Sequence, residues 1–455
     1  MYRIPFTRVP GQLVPAVPAP AAAERLALRG QLEASQWWPA EVLAQLQQVQ
    51  LGALCEHVWE QVPWYRDRLA EAGWAPGRPM TTDCYRRLPI LRREEAMAAG
   101  EALRARTLPE GHGEVSAGST SGSTGRSLRY WVSELARRIG SAFHLHIYCL
   151  AGWDFTRDLA SILVDKQGVA AAPEGRTYPD WGPCLADLYP SGRHHFLAAM
   201  TDIDDQLDWL QRRRPAYLQT YPSNLAALLE RAAARGLPLD FLQGISTLGE
   251  QVPEALRERV RAHFGWPLFD VYSASEVGVM AIQCPSHEHY HVQTANVLLE
   301  VLDEQGRPCG PGQTGEVVVT CLNNFAAPLL RYAIGDFAEV GAGCDCGRGQ
   351  PVLQRIRGRA RNMLRRPDGV TAWPSFGTAA LHRAAPIRQF QVVQTAIDRI
   401  ELRLVCDRPL PADTQRELVA ILQASLGYPF QVEIRRCDRI ERSAGGKYED
   451  FLSLL

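Results

Sequence analysis

The sequence predicts an α/β protein: a large N-terminal α/β domain over residues 1–360, followed by a small, mobile C-terminal α+β domain over residues 361–455. Two observations carry this. Between about residues 129 and 272, short apolar runs that suit buried strands alternate with longer helix-patterned segments, as in a sheet covered by helices. From Val297 onward the texture changes to strands separated by turns, and the last stretch, roughly 363–455, mixes three strand-like runs with one clear helix. At 455 residues the chain is long enough for two or three domains with an ample core.

In chain order, the proline-spaced N-terminus reads as an extended arm, without the basic start and unbroken apolar run of a signal peptide. Residues 20–110 read as a helical packing lobe, with Trp37, Trp38, Leu43, Leu46, Val49 and Leu51 on apolar faces. Arg129–Val132 is strand-like and Glu134–Leu150 helical. Leu159–Asp165 is a candidate buried strand and Ile203–Arg213 a helix. Ala216–Thr220 leads into the helix Leu225–Arg235; Gly244–Leu248, Pro253–His263 and Leu268–Tyr272 then read as strand, helix and strand. In the small domain, Gln389–Val393, Arg399–Val405 and Gln431–Arg435 are strand-like and Asp413–Leu426 is helical.

Composition narrows the function classes. A formal charge of −1 leaves no electrostatic footprint for nucleic acid or an anionic membrane, and no apolar run is long enough to cross a bilayer. Eleven cysteines in a chain this long are too sparse for a disulfide scaffold, so reduced thiols and a cytoplasmic location are expected.

Ser116–Ser127 reads SAGSTSGSTGRS: three glycines, five serines, two threonines, Ala117 and Arg126. Nothing apolar beyond alanine occurs in it, so it is neither a core strand nor an amphipathic helix. Glycine lets the backbone approach a ligand closely; hydroxyls, bared N–H groups and Arg126 then converge on an anion. The run therefore reads as a phosphate-gripping loop, the alternative being a flexible Ser/Gly linker. It is not a Walker A loop, because Thr120 and Arg126 stand where that motif has its first glycine and its lysine.

Four further stretches follow. Tyr272-Ser273-Ala274-Ser275-Glu276 comes after a strand, where α/β proteins bind ligands. Its tyrosine suits stacking on a base and its glutamate suits Mg²⁺ beside phosphates. Arg331-Tyr332-Ala333-Ile334-Gly335-Asp336 ends in a carboxylate suited to ribose hydroxyls. Arg355-Ile356-Arg357-Gly358-Arg359 brings basic groups to the domain boundary, and Ser443-Ala444-Gly445-Gly446-Lys447 sets a lysine on a glycine turn.

In this order the motifs resemble the adenylate-forming superfamily, most closely its phenylacetate–coenzyme A ligase-like branch, over Ser116 to Lys447. The resemblance implies that Ser121, Gly122, Ser123, Thr124, Gly125, Arg126 and Ser127 hold the ATP triphosphate. It implies that Tyr272 stacks the adenine flanked by Gly249 and Glu250, and that Glu276 binds Mg²⁺ with Ser275 at the phosphate-contacting position. Asp336 would hold the ribose, Arg359 would approach it, and Lys447 would contact the carboxylate and α-phosphate during adenylation. That last role is physically sensible, because negative charge builds there as carboxylate oxygen displaces pyrophosphate. Three departures stand out. Arg126-Ser127 replaces the usual Lys-Pro, Arg361-Asn362 replaces an acidic hinge pair, and the loop at Arg365–Gly369 is one residue longer. The hinge change bears more on thioester formation than on adenylation.

Cys284, His287, His289 and His291 form one candidate ligand cluster, and Cys344-Asp345-Cys346 a second. Thiols and imidazoles in two clusters suit a structural, tetrahedral Zn²⁺. Similar pairs in the family imply Cys284, His291, Cys344 and Cys346 as ligands, with His287 the rival fourth. The expected reaction is ATP-dependent activation of a carboxylic acid, by resemblance aromatic, to an acyl-adenylate with release of pyrophosphate. Transfer to coenzyme A follows; a carrier-protein phosphopantetheine is the alternative acceptor. A non-catalytic nucleotide-binding scaffold is the alternative of another class. Tyr217, Tyr221, His144 and Trp153 are candidate acid-pocket residues, although such aromatics more commonly serve core packing. A homodimer is left open.

Overall fold

The computed structural model describes residues 3–120, 127–359, 362–372, 374, 376, 378–440 and 448–455. The chain forms two compact units, Met1–Ile356 and Arg357–Leu455.

The first unit is built on a twelve-stranded mixed sheet. Five parallel neighbours lie along it in the order Phe269–Ala274, Gly244–Leu248, Tyr217–Thr220, Leu159–Leu163 and His194–Ala198. Their crossovers run through the helices Ile203–Arg213, Pro222–Arg235 and Glu254–Phe264. Local chemistry sets these helices: the Asp202 side chain caps the first, and Pro222 opens the second while Gly236, at φ +61°, closes it. Beyond Phe269–Ala274 the sheet turns antiparallel through Gly278–Gln283 and Tyr290–Val292, then continues to Val352–Arg359, Tyr332–Val340, Thr314–Cys321 and Val297–Leu302. Carboxyl ends of the parallel strands thus bring Tyr221, Gly249-Glu250 and Ser275-Glu276 to one edge of the sheet.

A buried polar network fixes the strand that carries Tyr272. Asp270 accepts from Thr247 Oγ1 at 2.6 Å and from Tyr290 Oη at 2.7 Å. Arg257 donates to Tyr290 Oη at 2.6 Å and to Gln283 Oε1 at 2.7 Å. Burial pushes the Asp270 carboxyl above the ordinary range, and the Arg257 charge and the hydrogen bonds oppose it. One helix and four strands or strand ends are tied together here, so the network specifies register.

The N-terminal lobe corrects one expectation. Leu43 and Leu51 are buried, but Trp37, Trp38, Leu46 and Val49 are 46, 40, 48 and 72 % exposed. The helix Ala40–Gln61 buries its later turns through Leu51, Leu54, Cys55 and Val58, whereas its first turns bury Leu43 alone. Apolar residues spread around those first turns do not define a buried face.

Val115–Ser119 pairs antiparallel with Arg129–Ser133, so the serine- and glycine-rich run begins as one arm of a two-stranded hairpin. The arm packs tightly: a Cβ at Gly118 would meet the Tyr130 ring at 2.5 Å.

The second unit holds a four-stranded sheet in the order Gln431–Arg436, Arg399–Cys406, Ile387–Ala396, Phe451–Ser453, with the helices Thr378–Ala384 and Ala412–Leu426. Leu402, Leu418, Leu422, Phe430 and Phe451 form its separate core. No helix among the described residues is long and apolar enough to cross a membrane.

Candidate active site and cysteine–histidine cluster

Tyr272 donates its hydroxyl hydrogen to Asp336 Oδ2 at 3.0 Å, so the stacking and ribose-binding candidates lie in direct contact. Glu250 Oε2 accepts from Ser223 N at 3.0 Å, on the first turn of the helix that follows Tyr221. Gly249 precedes it at φ +79°, a conformation that suits glycine.

Glu276 is buried at the same edge. Tyr332 Oη donates to its Oε1 at 3.4 Å, and Arg93 Nη1 stands 3.5 Å from that oxygen. Burial pushes the Tyr332 hydroxyl up, and the neighbouring Glu276 charge pushes in the same direction. Tyr130 is likewise raised, first by burial and then by Glu276, while its hydrogen bond with Ser275 acts the other way. A carboxylate among hydroxyls is a hard oxygen donor set that fits Mg²⁺.

Thr120, at the mouth of the glycine run, exchanges two hydrogen bonds with Leu128 N and O, both at 2.9 Å. Ser121, Gly122, Ser123, Thr124, Gly125 and Arg126 lie outside the described residues, as do Arg361 and Lys447. Arg359 belongs to the second unit.

Sequence reasoning passed over Arg93, Tyr130 and Tyr332 as site residues. Arg93 sits in the run Arg92-Arg93-Glu94-Glu95, which reads as a solvated helix start, and only the fold brings it to Glu276. Arg331 turns out to be structural. It is buried at φ +46°, pairs with Glu300 at 2.9 Å, and donates to the Arg86 and Leu88 carbonyls at 2.5 and 2.6 Å.

The acid-pocket candidates scatter. Tyr217 and Trp153 stack on each other with ring centroids 4.6 Å apart at 9°, inside an aromatic core with Tyr148, Phe155 and Trp181. The Tyr217 hydroxyl accepts from Asp154 N at 2.7 Å, which satisfies it within that core. His144 is exposed and its Nδ1 lies 2.9 Å from the Gly140 carbonyl of its own helix. Tyr221 is buried at the strand-to-helix turn, where its hydroxyl accepts from Val164 N at 3.3 Å.

The sheet brings the two cysteine-containing loops together. Tyr290–Val292 lies between Gly278–Gln283 and Val352–Arg359, so the loop through Cys284 and the loop through Cys344 emerge side by side. Ligand atoms of Cys284, His289, His291 and Cys344 all fall within 4.8 Å of one another. The Cys284 and Cys344 sulfurs are 4.0 Å apart, near the ~3.8 Å that tetrahedral zinc–sulfur bonds require. His289 Nε2 and His291 Nδ1 are buried without a partner among the described residues. Burial, reinforced by His289, brings His291 down to about 4, so it is neutral and able to donate a lone pair. Two thiols and two imidazoles fit Zn²⁺. Cys346 Sγ lies 3.4 Å from His291 Nε2, next to this quartet, while His287 pairs instead with Asp345 at 2.6 Å.

A strap from the N-terminal lobe closes over the second loop. Gly349 N donates to Gln36 O at 3.0 Å and Arg348 Nε to Gln36 Oε1 at 2.9 Å. The Arg348 guanidinium also lies 4.4 Å over the Trp37 ring.

Residues 183–325 match a model described as AMP-binding enzyme, and residues 375–452 match one described as CapK C-terminal domain. The chain is 26 % identical to a phenylacetate–coenzyme A ligase of Thermus thermophilus, with 91 % of this chain and 97 % of the relative covered. It is 23 % identical to a phenylacetate–coenzyme A ligase of Pseudomonas putida, over 89 and 93 % of the two chains. Among solved structures it resembles a 2-hydroxyisobutyryl-CoA ligase in the postadenylation state, with a TM-score of 0.72 at 21 % identity over 92 and 91 % of the chains. That last likeness is one of fold.

Proposed function

We infer that the chain is a member of the adenylate-forming superfamily, in its phenylacetate–coenzyme A ligase-like branch, and that it converts a carboxylic acid, ATP and coenzyme A into an acyl-CoA, AMP and pyrophosphate. Full-length similarity to two phenylacetate–coenzyme A ligases favours an aromatic acid. The contact between Tyr272 and Asp336 beside a buried Glu276 is the observation that carries the reading, since the residues proposed for base, ribose and phosphate then share one edge of the sheet.

In the first half-reaction a carboxylate oxygen of the acid attacks the α-phosphorus, and the bond to the bridging oxygen breaks as pyrophosphate leaves. Tyr272 and Asp336 orient the nucleoside, Gly249 and Glu250 flank the base, and Arg359 approaches the ribose. The glycine run from Ser121 to Ser127 grips the triphosphate. Lys447 meets the charge that grows on the oxygens of the α-phosphate. Mg²⁺, when bound, draws charge from the phosphate oxygens; Glu276 would hold it, with Ser275 beside it. In the second half-reaction the thiol sulfur attacks the acyl carbon, the thiol proton is released, and AMP departs.

The cysteine–histidine quartet would carry zinc as a structural staple, because four protein ligands leave no position open for substrate. Eleven cysteines in a chain this long are too sparse for a disulfide scaffold, which supports a reducing, cytoplasmic location.

The direct test is pyrophosphate release with ATP across a panel of aryl, fatty and amino acids, followed by coenzyme A consumption. Aryl acids are expected to give the highest turnover. Absence of acid-dependent release with every member would overturn the reading.

A hinge prediction arises here. Asn362 stands where the family carries an acidic hinge residue, and its Oδ1 is buried without a partner among the described residues. Asn362→Pro fixes φ near −65° and is expected to slow acyl transfer from preformed adenylate ~10-fold or more while changing single-turnover pyrophosphate release little. Equal loss in both steps would remove Asn362 from the hinge.

A further inference from the structure

Arg93 is the first residue of the helix Arg93–Ala99 and is bound by side chain to the two elements that the nucleotide chemistry needs. Its Nη2 donates to Thr120 Oγ1 at 2.7 Å, at the mouth of the glycine run. Its Nη1 donates to Tyr332 Oη at 3.3 Å and stands 3.5 Å from Glu276 Oε1. The Glu276 side chain is only 6 % exposed and Arg93 is 24 % exposed, so this cation–carboxylate contact is largely shielded from water.

Arg93 is also placed rigidly. Two residues before it, Leu91 N donates to Arg331 O at 2.9 Å and Leu91 O accepts from Ala333 N at 3.0 Å. These bonds attach the segment to the strand Tyr332–Val340, which carries both Tyr332 and Asp336. On its other side Glu95 accepts from the Arg92 backbone at 3.4 Å and pairs with Arg68 at 2.5 Å. The helix start is therefore pinned before any ligand arrives.

We propose that Arg93 is the positioning residue for the triphosphate end of the nucleotide site, holding Thr120, Tyr332 and Glu276 in one frame. The proposal rests on the adenylation reading above. A guanidinium presents several donors in a fixed fork and so can meet three partners at once. Lysine is a point charge with a flexible stem and cannot reproduce that frame. Arg93 also keeps a permanent positive charge at the end of the site where ATP carries the phosphates that AMP lacks. Its removal should therefore cost affinity for ATP and spare affinity for AMP.

The test uses the full chain, with ATP and AMP as separate probes in calorimetric titrations at fixed Mg²⁺ and without acid. Arg93→Met is expected to raise the Kd for ATP about 10-fold, the scale of one lost charge-assisted contact. AMP binding should change by less than about 2-fold, and Arg93→Lys should recover only part of the lost ATP affinity. A parallel loss for both nucleotides, or no loss for either, overturns the proposal, because a merely structural arginine would not separate them. Should Arg93→Met fail to fold, Arg93→Lys and Thr120→Val serve in its place, each expected to weaken ATP more than AMP. Wild-type protein that binds no ATP would sink the adenylation reading itself. Wild-type protein that binds ATP beside a variant of equal affinity would sink the role of Arg93 alone.

Discussion

Lys447→Ala is expected to lower acid-dependent pyrophosphate release about 10²–10³-fold, comparable to losing one preorganised donor to a developing oxyanion. The carboxylate that attacks and the phosphate that is attacked are both negative, so the transition state concentrates charge where the ground state kept it apart. A lysine that follows Gly445-Gly446 in the sequence supplies a compact cation that is useful at that moment above all. The loss should therefore appear in kcat, with little change in the Kd for ATP and none in Tm. Pyrophosphate release that is unchanged in the mutant would remove Lys447 from the mechanism.

Zinc removal should have the second large effect, on stability. Purified protein is expected to contain about one zinc per chain, and Cys344→Ser combined with Cys346→Ser to abolish it. Tm should then fall by roughly 5–10 °C, since the metal would cross-link two segments, one of which carries buried imidazole nitrogens without partners among the described residues. Single variants separate the ligand sets. His289→Ala should cost the metal if the quartet Cys284, His289, His291 and Cys344 holds it. Cys346→Ser should do so if Cys346 takes the fourth position. Chelator-washed protein in which metal analysis finds no zinc would end the hypothesis.

What sequence could show depended on whether a signal was local. The strands Gly244–Leu248 and Leu159–Leu163 are short apolar runs between turn residues and helices, so their buried state is written in neighbouring positions. The helix Ile203–Arg213 carries its own cap and charge pattern and ends where expected. Tyr290–Val292 is only three residues long, with no periodicity to detect, and becomes a strand through its two neighbours in the sheet. Aromatic type did not distinguish a pocket from a core, as the stacked Tyr217 and Trp153 demonstrate. Arg93 was the least legible, because a basic residue in a charged helix start looks solvated until the fold presents Thr120 and Glu276 to it.

The docking of the N-terminal lobe has a consequence for how the chain is made. Gln47 hydrogen-bonds the carbonyl of Val297, 250 positions further on, and Gln36 receives Gly349. His57 and Ala105 likewise reach Phe325 and Ala326 at 3.0 and 2.9 Å. During synthesis the first hundred or so residues leave the ribosome well before the surface that covers them exists. At 5–20 residues per second that interval is roughly 10–50 s. Over that time Leu51, Leu54 and Val58, which are fully buried in the finished protein, have no strand to cover them. Chaperone occupancy on nascent chains should therefore peak while residues 40–105 are out and decline once residue 350 has emerged.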